Sequence, residues 1–398
     1  MKNDTIAQTV LFPDLFTKPV VATFDQPHAS SDGGAVLLHA AERRYDLIAG
    51  FARCVVDDRQ SGKVHHTLHD LLAQRLFGLA CGYPDANDAD RLAEDPIQKL
   101  LLGRDPIAGA PLASQPTLSR FENGPGTQAL YQMGRALADS VIARHRQRLH
   151  GRARQITIDL DPTDDPTHGA QQLTFFNGHY DSWCYLPLLA FVTFDREVEQ
   201  YLCAAVLRPG NAPAMRGTLG VLRRLLARLR IAFPKARFLV RLDGGFATPE
   251  LFDFLDAEAG LDYVVAMADN ARFVVTTLRQ TPRFVYERVY CARGDIENRI
   301  KELHDGLQIG RTSCGRFWAN QLRVLLTAAA YVLMQEVRLR AARTAYARTQ
   351  VTGLREGLLK LGVHVVVSVR RIVLHLPTST AALHAWRHIA VALGARAG

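Results

Sequence analysis

Two alternating runs in the middle of the chain each stop at an aspartate. Gln155-Ile-Thr-Ile-Asp-Leu leads into Asp161, and Arg237-Phe-Leu-Val-Arg-Leu leads into Asp243. Ile156, Ile158 and Leu160 alternate with Thr157 and Asp159, which is the period of a strand. A third acid, Glu297, lies far downstream in Tyr290-Cys-Ala-Arg293-Gly-Asp-Ile-Glu297-Asn-Arg-Ile-Lys301-Glu-Leu-His304. Acids from three distant segments can meet at one point only if a fold carries two strand ends and a helix there. Oxygen ligands of this kind suit a hard divalent cation such as magnesium, which takes few protein ligands and leaves room for phosphate oxygens. Paired ions so held support in-line phosphoryl transfer.

The pattern around these acids supplies such a fold. Phe176-Asn177-Gly178-His179 carries the Asn-Gly hairpin signal. Tyr185–Phe194 is a continuous apolar run, as expected of a strand covered on both faces. Tyr201–Leu207 reads as a strand, 213–229 as a cationic helix, Arg237–Leu242 as a strand, 249–258 as a helix and 262–268 as a strand. Three strands in a meander followed by two helix-connected strands build a mixed five-stranded sheet flanked by helices. This is the order of a ribonuclease H-like α/β fold, with Asp161 and Asp243 at adjacent strand ends.

Residues 1–150 read as mostly helical after a leader with one edge strand. Apolar spacing predicts helices over 35–44, 65–82, 88–93, 96–102, 114–122 and 128–149. The short helices at 85–123 have the length for a helix-turn-helix with Thr117, Ser119 and Arg120 facing DNA. A plain bundle with those residues in water fits equally. The catalytic part is expected over 151–345, and a β-rich and helical extension over 346–398.

With 48% hydrophobic and 22% charged residues the chain has the makings of a sizeable core. Its net charge of +9 and pI of about 9.4 come with many arginines, which favours an anionic partner only modestly. The six cysteines form no Cys-x-x-Cys pair and read as reduced packing residues, neither a disulfide framework nor a zinc site. No signal pattern opens the sequence, and the apolar run 324–334 is too short to span a bilayer. A cytoplasmic, nucleoid-associated protein with no membrane contact is the expectation.

If 290–304 is one helix, Tyr290, Arg293, Glu297, Lys301 and His304 fall at steps of 3, 4, 4 and 3 and share a stripe. Ile296, Ile300, Leu303 and Leu307 then face the sheet. Gly294-Asp295 could instead open the helix and leave Arg293 in a loop. Taken alone, Glu297 between Arg293 and Lys301 is an ordinary surface i±4 pairing. Asp161, in an acidic cluster with Asp159, Asp164 and Asp165, and Asp243, before Gly244-Gly245, are each compatible with simple turns. Asp159 shares a strand face with Asp161 and competes with it as first ligand. His168 and His179 read as surface residues, Trp183 and Trp318 as packing residues, and Arg208, Asn211 and Arg216 as a solvated cationic face.

Taken together, these pieces resemble a DDE transposase of a bacterial insertion sequence, in DDE-domain group 1 and the branch with the signature Tyr-x2-Arg-x3-Glu-x6-Lys. Tyr290, Arg293 and Glu297 match that signature. Asp161-Pro162-Thr163 resembles the first catalytic motif, and Leu242-Asp243-Gly244-Gly245-Phe246 the second. Phe175–Tyr180, Arg311–Cys314 and Ala319–Gln321 also look like this branch. The resemblance implies that Asp161, Asp243 and Glu297 hold two Mg2+ ions, with Mn2+ as a substitute. It implies double-stranded DNA as partner, with terminal inverted repeats and a target site, and a homodimer on the DNA. Tyr290 and Arg293 would hold the DNA backbone, with Lys301, His304 and Arg120 as further contacts. Two departures stand out. His304 occupies the signature lysine position, with Lys301 a turn earlier. Asp269-Asn-Ala-Arg272 runs almost directly into Phe273–Leu278, where related chains carry an extra β segment. A DNA-binding remnant without activity is therefore the alternative to a working transposase, and a nuclease of the same fold is a third reading.

Overall fold

A computed structural model of the protein describes residues 9–11, 18, 20–23, 25–267 and 270–396. The chain starts with two short paired strands, β1 (Thr9–Leu11) and β2 (Val20–Ala22), and a third, β3 (Ala29–Ser30). Seven helices follow: α1 (Val36–Glu42), α2 (Leu47–Ala52), α3 (Leu68–Ala80), α4 (Ala89–Leu92), α5 (Pro96–Leu101), α6 (Gln115–Glu122) and α7 (Thr127–Arg148). The apolar spacing located all but α2, which starts at Asp46 in the left-handed region without a side-chain cap. Thr67 and Asp70 cap α3 reciprocally, and Asp95 accepts from the N–H groups of Ile97 and Gln98 at the start of α5.

The middle of the chain supplies β4 (Gln155–Pro162), β5 (Asp165–Pro166), β6 (Phe175–Asn177), β7 (Ser182–Tyr185), β8 (Leu188–Phe194), β9 (Tyr201–Val206), α8 (Thr218–Ala232), β10 (Arg237–Leu242), α9 (Pro249–Ala257), β11 (Leu261–Met267) and β12 (Asn270–Thr276). The central sheet has the order β12-β11-β10-β4-β8-β9. β4, β10 and β11 run parallel, whereas β8, β9 and β12 are antiparallel to their neighbours. The sheet therefore has six strands where the sequence suggested five. The extra one is β12, which returns as a hairpin on β11 with Val274 and Val275 opposite Ala266 and Val265. The apolar run 185–194 is broken at Leu186-Pro187, since proline has no N–H for a ladder. Its first residue ends β7, which belongs to a separate small sheet β5-β7-β6. Residues 188–192 of β8 are buried, as expected for a strand covered on both faces.

The last third begins with the short α10 (Pro282–Phe284) and continues without a break through π-helical 285–290, 3-10 291–294, α11 (Asp295–Lys301) and π-helical 302–306. Then come α12 (Phe317–Arg340), α13 (Val351–Leu354), the hairpin β13 (Val363–Val367) and β14 (Ile372–His375), and α14 (Leu383–Leu393). β3 adds to the edge of β13, which ties the two ends of the chain together.

Among the described residues the main apolar core runs from Ala35 to Leu393, and a small second cluster joins Leu239, Val264 and Val285. The axis of the main core is α12, buried on nearly every side and packed against α1, α3, α7, α14 and β9. A helix apolar all round belongs in an interior, and this is where the run 324–334 lies. Among the described residues, no helix is long and apolar enough to cross a membrane. Two glutamines of α12 finish the sheet. Gln321 and Gln335 accept from the N–H groups of Leu207 and Leu202 and donate to the carbonyls of Ala205 and Gln200. The outer strand β9 thus has no bare backbone edge there.

Candidate active site

The register between β4 and β10 decides which side chains meet. Gln155 pairs with Arg237 and Asp159 with Arg241. Continuing two places along both strands keeps the same face and sets Asp161 beside Asp243. The lower rung is an ion pair. Nε and Nη2 of Arg241 each lie 2.7 Å from one oxygen of Asp159, and Gln200 adds a third hydrogen bond at 3.0 Å. Asp159 is fully buried and both its oxygens are taken. Asp159, the competing acid on this face, thus has Arg241 and Gln200 on its oxygens, whereas Asp161 lies two residues further along β4 and is only partly buried.

The upper rung brings two acids together. Asp243 caps the turn after β10, its Oδ1 accepting from Gly245 N–H at 2.9 Å. Its other oxygen, Oδ2, faces Nη2 of Arg293 at 3.2 Å, and the same nitrogen is 2.7 Å from Asp161 Oδ1. Burial drives the carboxyl of Asp161 above its ordinary range; Arg293 pulls it back and the neighbouring Asp243 pushes it further up. Tyr290 and Tyr180 border the acids. Burial raises the phenol of Tyr290, on which Arg293 and Asp243 act in opposite senses. Burial and then the charges of Asp164, Asp161 and Asp243 push Tyr180 up to about 12. Tyr180 arrives from the Asn177-Gly178 hairpin loop and was seen in the sequence only as part of a motif.

Glu297, expected with the two aspartates, shares no hydrogen bond or ion pair with them, whereas Arg293 bonds both. Glu297 is exposed on α11. Among the described residues, no three His, Cys, Asp or Glu side chains are disposed to hold a metal ion. The expected stripe is broken by the winding. A 3-10 turn has three residues and a π turn more than an α turn, so positions 290–304 do not keep one face. Arg293 is buried, Tyr290 half-buried, Glu297 and Lys301 exposed, and His304 half-buried. The apolar face holds better: Ile296, Leu303 and Leu307 are buried and Ile300 packs against the core.

His304, at the signature lysine position, has its Nε2 3.0 Å from Thr163 Oγ1, two residues after the first acid. It pins the 163–165 loop to the helix, and burial lowers its pKa. Next to it Asp165 is fully buried, with Oδ2 accepting from Thr312 Oγ1 at 2.7 Å and Oδ1 without a partner. Burial first, and then Asp164, push Asp165 up to about 8 against the hydrogen bond from Thr312.

Sequence reasoning missed Glu302, which fixes the whole helix. It is buried and bonded to Arg338 at 2.5 Å, Tyr331 at 2.7 Å, Arg299 at 2.9 Å and the N–H of Val351 at 3.2 Å. Burial opposes ionisation, yet Arg338, Tyr331 and Arg299 hold its carboxyl below the ordinary range. The clue was present as a Glu at an apolar-face position beside Leu303. Arg208 also departs from its reading as a solvated cation. It is buried and donates to the carbonyls of Leu186, Pro213, Ala214 and Arg216. Trp183 and Trp318 are exposed rather than packed, while His168 and His179 are on the surface as expected.

Arg120 is exposed on α6 and lines a cleft of about 1100 Å³ with Thr117, Lys63, His65, His66 and Arg59. α6 is anchored from below, since Glu122 bonds Arg75 of α3 at 2.7 Å and Arg323 of α12 at 3.0 Å.

No curated protein matches the sequence. Among solved structures, a chain of the piggyBac transposase synaptic complex with hairpin DNA is similar at 9% identity. The similarity covers 81% of this chain and 79% of that one, with a TM-score of 0.44. The model of a protein family described as transposase DDE domain group 1 matches residues 12–272 and again 269–396, which together span nearly the whole sequence. The chain belongs to the transposase DDE domain group 1 family.

Proposed function

We propose that the protein is a DNA transposase of the bacterial insertion-sequence type, in the branch with the Tyr-x2-Arg-x3-Glu signature. It cuts element ends and joins the freed 3′-hydroxyl to target DNA on a ribonuclease H-like core. The observation that carries this reading is the in-register pair Asp161 and Asp243 at the ends of adjacent parallel strands, in a chain of this family. The pair suits a hard divalent ion. Both donors are carboxylate oxygens, both reach one point, and that point already holds a positive group. Two carboxylates with phosphate oxygens are a sufficient ligand set for magnesium or manganese. Bound there, two ions would activate the attacking oxygen and neutralise charge on the phosphate.

The protein's own part is positioning. Asp161 and Asp243 would hold the ions, and Glu297, one turn beyond Arg293, would serve as the third ligand. Tyr180 and Tyr290, beside the acids, would flank the phosphate. Lys301, His304 and Arg120 are the candidate contacts to the inverted-repeat and target duplexes, bound by a homodimer in the cytoplasm, at the nucleoid. The exposed face of α6 and its cleft support the N-terminal part of that assignment.

A second reading, a remnant that binds DNA without cutting it, is favoured by one region. β11 and β12 pair at Met267 and Asn270, so the hairpin leaves no room between them for a further segment. The family match divides into two pieces that meet at 269–272, as a lost internal segment would produce. Ala268 and Asp269 themselves lie outside the described residues.

Excision from a supercoiled plasmid that carries the reading frame with its flanking DNA tests the choice. Mg2+-dependent excision that Asp243→Asn abolishes supports the transposase. Binding without cleavage supports the remnant, and nicked but unjoined products support a nuclease. Absence of both binding and cleavage would overturn all three.

A further inference from the structure

The place between Asp161 and Asp243 is held by the chain's own cation. Arg293 Nη2 is 2.7 Å from Asp161 Oδ1, 3.2 Å from Asp243 Oδ2 and 3.5 Å from the carbonyl of Leu160. The rung below shows how an arginine binds a carboxylate when that is its whole task. Arg241 turns Nε and Nη2 together onto the two oxygens of Asp159, both at 2.7 Å, the bidentate fork that guanidinium geometry favours. Arg293 does not use its fork. A single nitrogen is inserted between two anions, and its Nε is buried without a partner. That is the placement of a point charge. An ion liganded by both acids would have to lie between the same two oxygens, about 2.0–2.1 Å from each for magnesium. The nitrogen and the ion cannot share the space.

We propose that Arg293 is a built-in counter-ion of the acid pair. It offsets part of the charge of Asp161 and Asp243 in the free protein and yields its place to a divalent ion when a phosphodiester arrives to take the guanidinium. This rests on the metal-binding reading given above and adds a competition that the reading does not require. The exchange is local: the side chain leaves Asp161 and Asp243 and keeps its backbone place on the 291–294 turn. Its guanidinium then has an anion to meet, because phosphate accepts the bidentate fork that the acid pair did not use. The helix itself stays fixed through Glu302.

The test is Mn2+ binding by calorimetry to the full-length protein without DNA, for wild type and Arg293→Gln. Asp243→Asn in each background defines the site. The counter-ion role predicts binding at least tenfold tighter in Arg293→Gln. It also predicts that a short DNA duplex tightens Mn2+ binding by a factor several-fold larger in wild type than in Arg293→Gln, where only the added phosphate ligands contribute. The wild-type titration with and without duplex stands even if the variant does not fold. Equal Mn2+ affinity in wild type and variant, or no effect of duplex on wild type, overturns the counter-ion role and leaves the metal site intact. No Mn2+ binding by either protein, with and without duplex, overturns the metal reading on which it rests.

Discussion

Replacing Asp165 by asparagine should stabilise the protein, increasingly so as the pH rises. The carboxyl is fully buried with one oxygen unpartnered, and burial pushes its pKa up to about 8 from an ordinary value near 3.8. An acid raised in the folded state keeps a proton that the unfolded chain releases. Stability is therefore lost as the pH climbs from the unfolded pKa towards the folded one, at about 1.4 kcal/mol per unit. By pH 7 the accumulated loss is about 4 kcal/mol. Asparagine has nearly the same shape, can still accept from Thr312 through its carbonyl, and does not titrate. Urea denaturation of both proteins between pH 5 and pH 7.5 isolates the residue, because every other group titrates alike in the two. The advantage of Asp165→Asn should grow by about 3 kcal/mol over that range. A difference that stays level with pH would refute the argument and show that Asp165 is ionised in the folded protein with a partner or solvent access.

Four further substitutions probe the packing. Glu336→Ala should cost about 3–5 kcal/mol in urea denaturation, because it strands Arg144, whose side chain is 3% exposed. Gly34→Ala should cost about 3 kcal/mol or prevent folding, since an added Cβ would lie 1.7 Å from the carbonyl oxygen of Leu358. Gly62→Ala, with open space around it, should stay within about 0.5 kcal/mol of wild type. Gln335→Ala should cost about 2 kcal/mol by leaving backbone groups of β9 unpaired. Size-exclusion chromatography should also show more self-association than in wild type.

The sheet was legible because its signal is local. Alternation and a terminal aspartate identify β4 and β10 without knowledge of their neighbours, and the register then follows from the ends of the strands. Pro187 was a visible warning that the run 185–194 could not be one central strand. Residues 273–278 were noted only as following closely on Asp269–Arg272, and nothing in them says that they fold back as a sixth strand. α2 escaped because it is six residues long with no capping side chain. The candidate site was half legible. That Asp161 and Asp243 lie at neighbouring strand ends was legible, whereas the shared stripe of Arg293 and Glu297 depended on a uniform 3.6-residue pitch that the helix does not keep. The pitch is set from outside, by Glu302 locked to Arg338, Tyr331 and Arg299, and its partners lie in α12 and the turn before it. Asp165 was noticed as part of an acidic cluster, yet its burial depends on Thr312, far along the chain. No local pattern reports such contacts.

The claim on which the rest depends is that Asp161 and Asp243 together bind a divalent cation. Anomalous diffraction from crystals grown with saturating Mn2+ and a DNA duplex measures this directly. The account predicts a manganese peak within about 2.3 Å of an oxygen of each aspartate, with Arg293 withdrawn from between them. Crystals that show no manganese there, with Arg293 still bridging the two acids against bound DNA, would contradict it.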